Sequence, residues 1–388
     1  CSGNPSSPHS QGREASVALS TARAQVAKAL NVDISDIVFV SGGTEANNLG
    51  TQGVLRLRQE QLPLDSQHVV LSALEHAAVY EPLFSLQACH GLKTSVSPVS
   101  SSSGVVELKN IVKEITPSTT LITLMAANNE IGTLQPVKLL GDWLHYKRWN
   151  IGNNQDSLEH FIELDRYLSS LVTKEDLKKI HFHVDAVQAF GKIPTEQWLS
   201  DGIDSCAITG HKIGALQGVG ALFLRRGRKF LPAFLGGSQE KRRRAGTENL
   251  PGIVSFGMIC EEICQPQWWD NLEILKKKTL FLLKELSGIS GIRINTPWEN
   301  ILPNTVNFSV TLTNKKGEDV LVALDLYGIC ASSGSACSSA TNMPSKTLLA
   351  LGRSLQEAKN AIRLSLSPKT KDEEVSQTIH FMKKILLP

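Results

Sequence analysis

Six places in the chain combine residue types and spacing that could do chemistry. Ser41-Gly42-Gly43-Thr44-Glu45 follows the apolar run Ile37–Val40 and opens a helical stretch. A helix start offers unpaired N–H groups and the positive end of the helix dipole, and glycines let an anion approach closely. Gly43 and Thr44 therefore suit a phosphate, although an ordinary tight strand-to-helix turn reads the same way. Asp185 in His183-Val184-Asp185-Ala186-Val187-Gln188 closes another apolar run. Ligands sit at the carboxyl ends of strands in open α/β sheets, and a buried carboxylate needs a positive or hydrogen-bonding partner. That partner is either a protonated ring nitrogen or, for an N-cap, the following backbone. Lys212 in Gly210-His211-Lys212 comes straight after Ala207-Ile208. A desolvated amine there can form a Schiff base, whereas a solvated one is an ordinary surface lysine.

Cys337 lies in Ser332-Ser333-Gly334-Ser335-Ala336-Cys337-Ser338-Ser339-Ala340, a run of small polar residues. Such a segment suits either a nucleophile that must travel or a free surface thiol. Cys206 and Cys260, set among apolar residues, are expected in the core. Arg363 alternates with Ile362 and Leu364. It points away from them, toward a carboxylate held by two hydrogen bonds or toward a structural ion pair. Lys241-Arg242-Arg243-Arg244 reads as a solvated basic loop with anion binding as the alternative.

The elements that must position these residues alternate. Ile37–Val40, Val69–Ser72, Thr120–Met125, Phe182–Val184, Ser205–Ile208 and Gly220–Leu224 read as buried strands, Ser20–Leu30 as a helix ahead of the first, and most strands are separated by helical stretches such as Val106–Ile115. That alternation predicts a mostly parallel sheet covered on both faces. Leu140–Ile180 carries two amphipathic helices and a third N-capped by Thr173. From about Pro266 helices at Asn271–Leu286 and Glu318–Tyr327 mix with strands at Asn304–Val310, Cys330–Ser332 and Ala361–Ser365, and a helix from Lys371 closes the chain. The expected division is 1–267 and 268–388, with 140–180 an insertion in the first part.

Composition bounds the rest. The chain has 388 residues, 41% of them hydrophobic, and a net charge of +3. That is enough apolar material for two cores, and the balanced charge argues against direct nucleic-acid binding. No apolar run reaches the roughly 18–20 residues of a membrane span. Seven scattered cysteines with no CxxC pair argue against a disulfide framework or a metal ribbon. They favour a reducing compartment, so a cytoplasmic site is expected, an organelle being the alternative.

Taken in order, a phosphate turn, a strand-end aspartate, a lysine soon after, then a late cysteine and arginine describe a pyridoxal 5'-phosphate enzyme. The chain resembles the cysteine desulfurase family, part of the class V aminotransferase group that includes selenocysteine lyases. The matching segments are SGGTEANN (41–48), LEH (74–76), ANNEIG (127–132), HVDAVQAFGK (183–192), GHK (210–212), RRAGTEN (243–249), SSGSACSSA (332–340) and AIRLSLS (361–367). The resemblance implies a fold type I α/β transferase, with a mostly parallel seven-stranded sheet in a large domain and a smaller C-terminal α+β domain. It implies that Lys212 holds the cofactor covalently, that His76 stacks on its ring and shuttles protons, and that Asp185 keeps the ring nitrogen protonated. Gln188 and Asn129 would bind around the phenolic oxygen and the substrate. Gly43, Thr44, Thr209 and His211 would cradle the phosphate. Thr247 would reach the phosphate of a neighbouring subunit in a homodimer, and Arg363 would hold the substrate α-carboxylate. Cys337 would take sulfur from L-cysteine as a persulfide, release alanine, and pass the sulfur to an iron–sulfur scaffold or another sulfur carrier.

The departures are specific. The family's Asn-Ala-Thr-Thr stretch would precede Cys1, so upstream residues are expected. Gly214-Ala215-Leu216-Gln217 replaces the usual Tyr-Gly-Pro-Lys and loses a positive charge. The 140–180 region is longer than the family spacing and reads as a surface elaboration rather than a docking insertion. L-selenocysteine presents the same amine and carboxylate as L-cysteine and is the alternative substrate. A plain aminotransferase has no need of Cys337, and a degenerate scaffold has no need of the filled catalytic positions.

Overall fold

The computed structural model describes residues 3–150, 155–333 and 343–386. They form two compact units. One comprises Cys1–Ser97, Glu107–Ala126 and Pro136–Gln265; the other comprises Pro98–Val106, Ala127–Gln135 and Pro266–Pro388. The second unit is thus not a contiguous C-terminal piece, because two short excursions from the first part of the chain join it.

The first unit is built on strands β1 (Ile37–Val40), β2 (His68–Ser72), β3 (Lys93–Ser97), β4 (Thr119–Thr123), β5 (His181–Asp185), β6 (Ser205–Thr209) and β7 (Gly220–Leu224). Their order is β1-β7-β6-β5-β4-β2-β3. The pairs from β6 to β3 are parallel, while β7 runs antiparallel to both β6 and β1. All but β3 are buried along their length, as expected of strands covered on both faces. β3 is a partly exposed edge strand of Lys, Thr and Ser residues around Val96, and its polarity conceals it from hydrophobic pattern reading.

The pairing fixes where chemistry can gather. Val40 pairs with Gly220, Gly220 pairs with Thr209, and Asp185 pairs with Ala207. The carboxyl ends of β1, β5 and β6 therefore share one edge of the sheet. At the opposite edge, the 140–180 region folds as helices Val137–Trp149, Gln155–Asp165 and Lys174–Lys179, the last with the Thr173–Asp176 capping box. Its inner face is buried through Trp143, Leu144 and Arg148. The Arg148 guanidinium donates to the carbonyls of Leu177, Ile180 and Gly202 and pairs with Asp204 at 3.1 Å. These partners compensate the burial of its charge.

The second unit holds an antiparallel sheet, β10-β11-β9-β8, of Ser332–Ser333, Ala361–Ser365, Thr305–Val310 and Ile292–Ile294 in that order. Helices Pro266–Ser287, Gly317–Leu326 and Asp372–Leu386 pack Leu282, Leu283, Leu324 and Met382 against Phe308 and Ile362. Among the described residues, no helix is long and apolar enough to cross a membrane.

Candidate active site

In the first unit the helix Gly43–Asn48 acts as a hub. At its start, Gly42 supplies no side-chain cap, so backbone N–H groups face outward from the turn. A Cβ at Gly43 would meet Val187 Cγ2 at 2.6 Å, so glycine there lets the turn sit directly on the segment after Asp185. One helical turn on, Asn47 Nδ2 donates to Asp185 Oδ2 at 2.8 Å, and Asn48 Nδ2 donates to the Ala78 carbonyl at 3.3 Å. Glu45 accepts from the Ser41 N–H at 2.8 Å and from Arg244 Nε at 3.0 Å. These contacts tie together the glycine turn, the end of β5, the helix that follows His76 and the basic loop leading to the exposed Thr247.

Asp185 is 4% exposed, and its other oxygen accepts from the Val187 N–H at 3.0 Å. Burial pushes the carboxyl up from its usual range, opposed first by the nearby His76 and then by these two donors. Both hydrogen bonds come from uncharged groups, so a cationic partner would complete this carboxylate. His76 caps the helix Ala77–His90, its Nδ1 accepting from the Ala78 N–H at 3.1 Å. In the neutral ring the proton is therefore on Nε2. Gln188 accepts from Lys192 Nζ at 2.6 Å.

β6 delivers the next group. The Thr209 hydroxyl donates to the Val219 carbonyl at 3.1 Å and lies 3.1 Å from His211 Nδ1. With its one proton committed, it accepts from the His211 N–H. Burial, then Lys212 and Lys192, hold the His211 imidazole below its ordinary value. Lys192 thus puts a positive charge in a neighbourhood where Gly214-Ala215-Leu216-Gln217 supplies none. Lys212 is exposed on the short turn Gly210–Ile213, which Gly214 closes at φ +100°. An ideal Cβ on Gly42 would lie 3.9 Å from Thr209 Oγ1, so the glycine turn and the Thr209–Lys212 turn are neighbours. Gly43, Thr44, His76, Asp185, Gln188, Thr209, His211 and Lys212 belong to this one connected set.

The second unit brings Asn129 and Arg363 together. Arg363 occupies β11 between Asn307 and Ser332, and its Nη1 donates to the Asn129 carbonyl at 2.8 Å. Next to Asn129, the Glu130 carboxylate is buried and accepts from Ser345 Oγ at 2.5 Å and Thr347 Oγ1 at 3.2 Å. Cys337 lies outside the described residues. The described residues that precede it in the chain, Ser332–Ser333, form β10, in which Ser332 pairs with Arg363. Cys206 and Cys260 are buried as expected, which raises both thiols far above the thiolate range, while Cys89 and Cys330 are exposed.

The profile of the family described as Aminotransferase class-V matches residues 1–151 and 168–378. Cysteine desulfurase IscS of Dictyoglomus turgidum is 35% identical over 99% of this chain and 87% of its own length. The chain belongs to the cysteine desulfurase family of class-V aminotransferases. A cysteine desulfurase of Nostoc sp. is 37% identical over 99% of the chain and 86% of its own length. The solved structure of a NifS-like protein superposes with a TM-score of 0.81 at 32% identity, covering 99% of this chain and 91% of that one. The residues between the two matched stretches fall inside the 140–180 region.

Sequence reading of this desulfurase-family chain missed Asn47, Glu75, Glu130 and His183. Asn47, Glu75 and Glu130 sit within or beside motifs, but only tertiary contacts reveal their partners. Glu75 Oε1 accepts from Ser72 Oγ at 2.6 Å and the Met125 N–H at 2.9 Å, and Oε2 lies 3.5 Å from Thr123 Oγ1. Burial outweighs the Ser72 hydrogen bond, and nearby Asp185 adds to it, so the carboxyl is pushed up to about 7. A folded-state value above the unfolded 4.5 means that the folded form holds the proton more tightly. Its contribution is full below about 4.5 and is lost as pH rises through about 7. The melting temperature of the cofactor-free protein is therefore expected to fall between about pH 5 and pH 8, and Glu75→Gln to flatten that fall. The amide mimics the protonated carboxyl, with Nε2 toward Thr123. An unchanged slope in Glu75→Gln would show that Glu75 is not the titrating group.

Proposed function

We propose that this chain removes sulfur from L-cysteine, releasing L-alanine and leaving a persulfide on Cys337 for transfer to an acceptor protein. The observation that carries this reading is the connected set in the first unit. A buried carboxylate with uncharged donors, a glycine turn beside a hydroxyl and an imidazole, and a lysine on the adjoining turn fit pyridoxal 5'-phosphate. Asp185 would face its ring nitrogen, His76 its ring and Gln188 its phenolic oxygen. Gly43, Thr44, Thr209 and His211 would hold its phosphate and Lys212 its aldehyde carbon, with Thr247 offered to the partner subunit of a homodimer. When bound, the cofactor supplies an electron sink for the substrate α-carbon.

The chain's own groups do the rest. Arg363 would bind the substrate carboxylate through its guanidinium, and Asn129 positions that guanidinium through its carbonyl. Because the Ala78 N–H occupies Nδ1 of His76, Nε2 carries a proton to give, which leaves Lys212 Nζ to take the α-proton. The Cys337 thiolate attacks the substrate sulfur. An S–S bond forms, the substrate C–S bond breaks, and the carbon fragment keeps the electron pair and gains a proton to become alanine. An exposed acceptor thiolate then takes the outer sulfur, as an iron–sulfur scaffold or sulfur carrier requires.

Incubating the purified protein with pyridoxal 5'-phosphate and L-cysteine should yield alanine and sulfide in equal amounts when a thiol reductant discharges the persulfide. Alanine formation no faster than without protein would refute the proposal. A much higher turnover of L-selenocysteine than of L-cysteine would reassign the substrate.

A further inference from the structure

His183 has no part in the chemistry above, yet it is fully buried, two residues before Asp185 on β5. Its Nε2 lies 2.9 Å from Asn47 Oδ1, and its Nδ1 lies 2.8 Å from Ser205 Oγ. Ser205 Oγ is also 2.7 Å from His181 Nε2. Asn47 turns its amide nitrogen to the Asp185 carboxylate at 2.8 Å. Asn47, Ser205 and His181 are each no more than 1% exposed.

The direction of every hydrogen bond follows from valence. An ionised carboxylate only accepts, so Asn47 presents Nδ2 to Asp185 and Oδ1 to His183. His183 must therefore donate from Nε2. Burial pushes this imidazole down to about 3, so at neutral pH the ring has one proton, and Nδ1 accepts from the Ser205 hydroxyl. That hydroxyl has then spent its only proton, and its oxygen accepts from His181 Nε2–H. All four donors point toward Asp185. Hydrogen bonds aligned in this way polarise one another and favour negative charge at the accepting end.

The surroundings are shaped to admit the ring. A Cβ on Gly50 would lie 2.3 Å from two atoms of the His183 imidazole. Gly50 belongs to Leu49–Gly53, where the helical path widens to π geometry, a distortion found frequently at functional sites.

We propose that His183 is a positioning residue: with Asn47 and Ser205 it forms a one-way hydrogen-bond chain that holds the Asp185 carboxylate ionised and oriented for a cationic ring nitrogen. The identity of that cation rests on the function proposed above; the direction of the chain does not.

The test has two arms. In protein labelled with 15N-histidine, long-range 1H–15N correlation should show His181 and His183 neutral and protonated only on Nε2 at neutral pH. His183 protonated on Nδ1 would overturn the chain. In the second arm, affinity for pyridoxal 5'-phosphate is measured in His183→Gln, His183→Phe and Ser205→Ala. Gln can donate to Asn47 and accept from Ser205, so its affinity should stay within about threefold of the parent. Phe should lose roughly tenfold or more, as expected when a buried hydrogen-bond partner goes missing. Ser205→Ala keeps the Asn47 contact and should fall between them. Equal losses in Gln and Phe, or none in either, would refute the positioning role. If Phe does not fold, the tautomers and a Gln affinity near the parent's still decide. A protein that makes no alanine yet shows these tautomers and affinities would contradict the proposed function alone.

Discussion

Replacing Lys212 by alanine is expected to lower desulfuration by about four orders of magnitude, the upper range for loss of a positioned general base. It should also let the cofactor wash away on desalting. The place of Lys212 in the fold makes this a clean experiment. It sits exposed on the turn Gly210–Ile213, whose geometry is held by the Ala215 N–H to Gly210 carbonyl bond and by the Thr209 hydroxyl on the Val219 carbonyl. None of those bonds uses the lysine side chain. The melting temperature of the cofactor-free variant, measured beside that of the parent, reports on the fold. Alanine production, retained visible absorbance and melting temperature together separate lost chemistry from lost fold. Activity within tenfold of the parent would remove Lys212 from the proposed mechanism.

Cys337→Ala is the second large effect and dissects the reaction differently. Lys212, the group assigned to the α-proton, and the proton donor His76 are untouched, as are Asp185 and the phosphate turn. The variant should therefore bind pyridoxal 5'-phosphate as the parent does and still exchange the α-hydrogen of L-cysteine for deuterium from heavy water. Sulfide and alanine formation should drop by at least about a hundredfold, because the C–S bond breaks, with its electron pair kept by carbon, only when a nucleophile takes the sulfur. Exchange without desulfuration is the signature to look for. Undiminished alanine formation would exclude Cys337 as the sulfur acceptor.

Much of this was legible in the residues, for identifiable reasons. β1 and β7 match the sequence reading to the residue, because each is a short apolar run punctuated by glycine. The helix read from Ser20 begins at Ser10, since its first turns are polar and carry no apolar stripe. β3 was hidden by its polar edge character, and β8 by having three residues. Asp185 and Lys212 stood out because a charged residue directly after a buried strand is itself a signal. Asn47 and His183 did not, because a buried asparagine and histidine acquire meaning only from partners that lie far away in the chain. The excursions 98–106 and 127–135 into the second unit were also invisible. Asn129 belongs there because the next residue, Glu130, is bonded to Ser345 and Thr347, and Asn307 donates to the Glu130 carbonyl.

The central claim is that sulfur passes from L-cysteine to Cys337, and mass spectrometry of the protein after brief exposure to L-cysteine tests it most directly. With thiols alkylated at once and the peptides mapped, the peptide holding Cys337 should carry the mass of one additional sulfur atom, with one alanine released per sulfur gained. The same peptide from Lys212→Ala should carry none. Alanine released while the extra sulfur is found only on Cys89 or Cys330, the exposed cysteines among the described residues, or on no cysteine at all, would contradict the account.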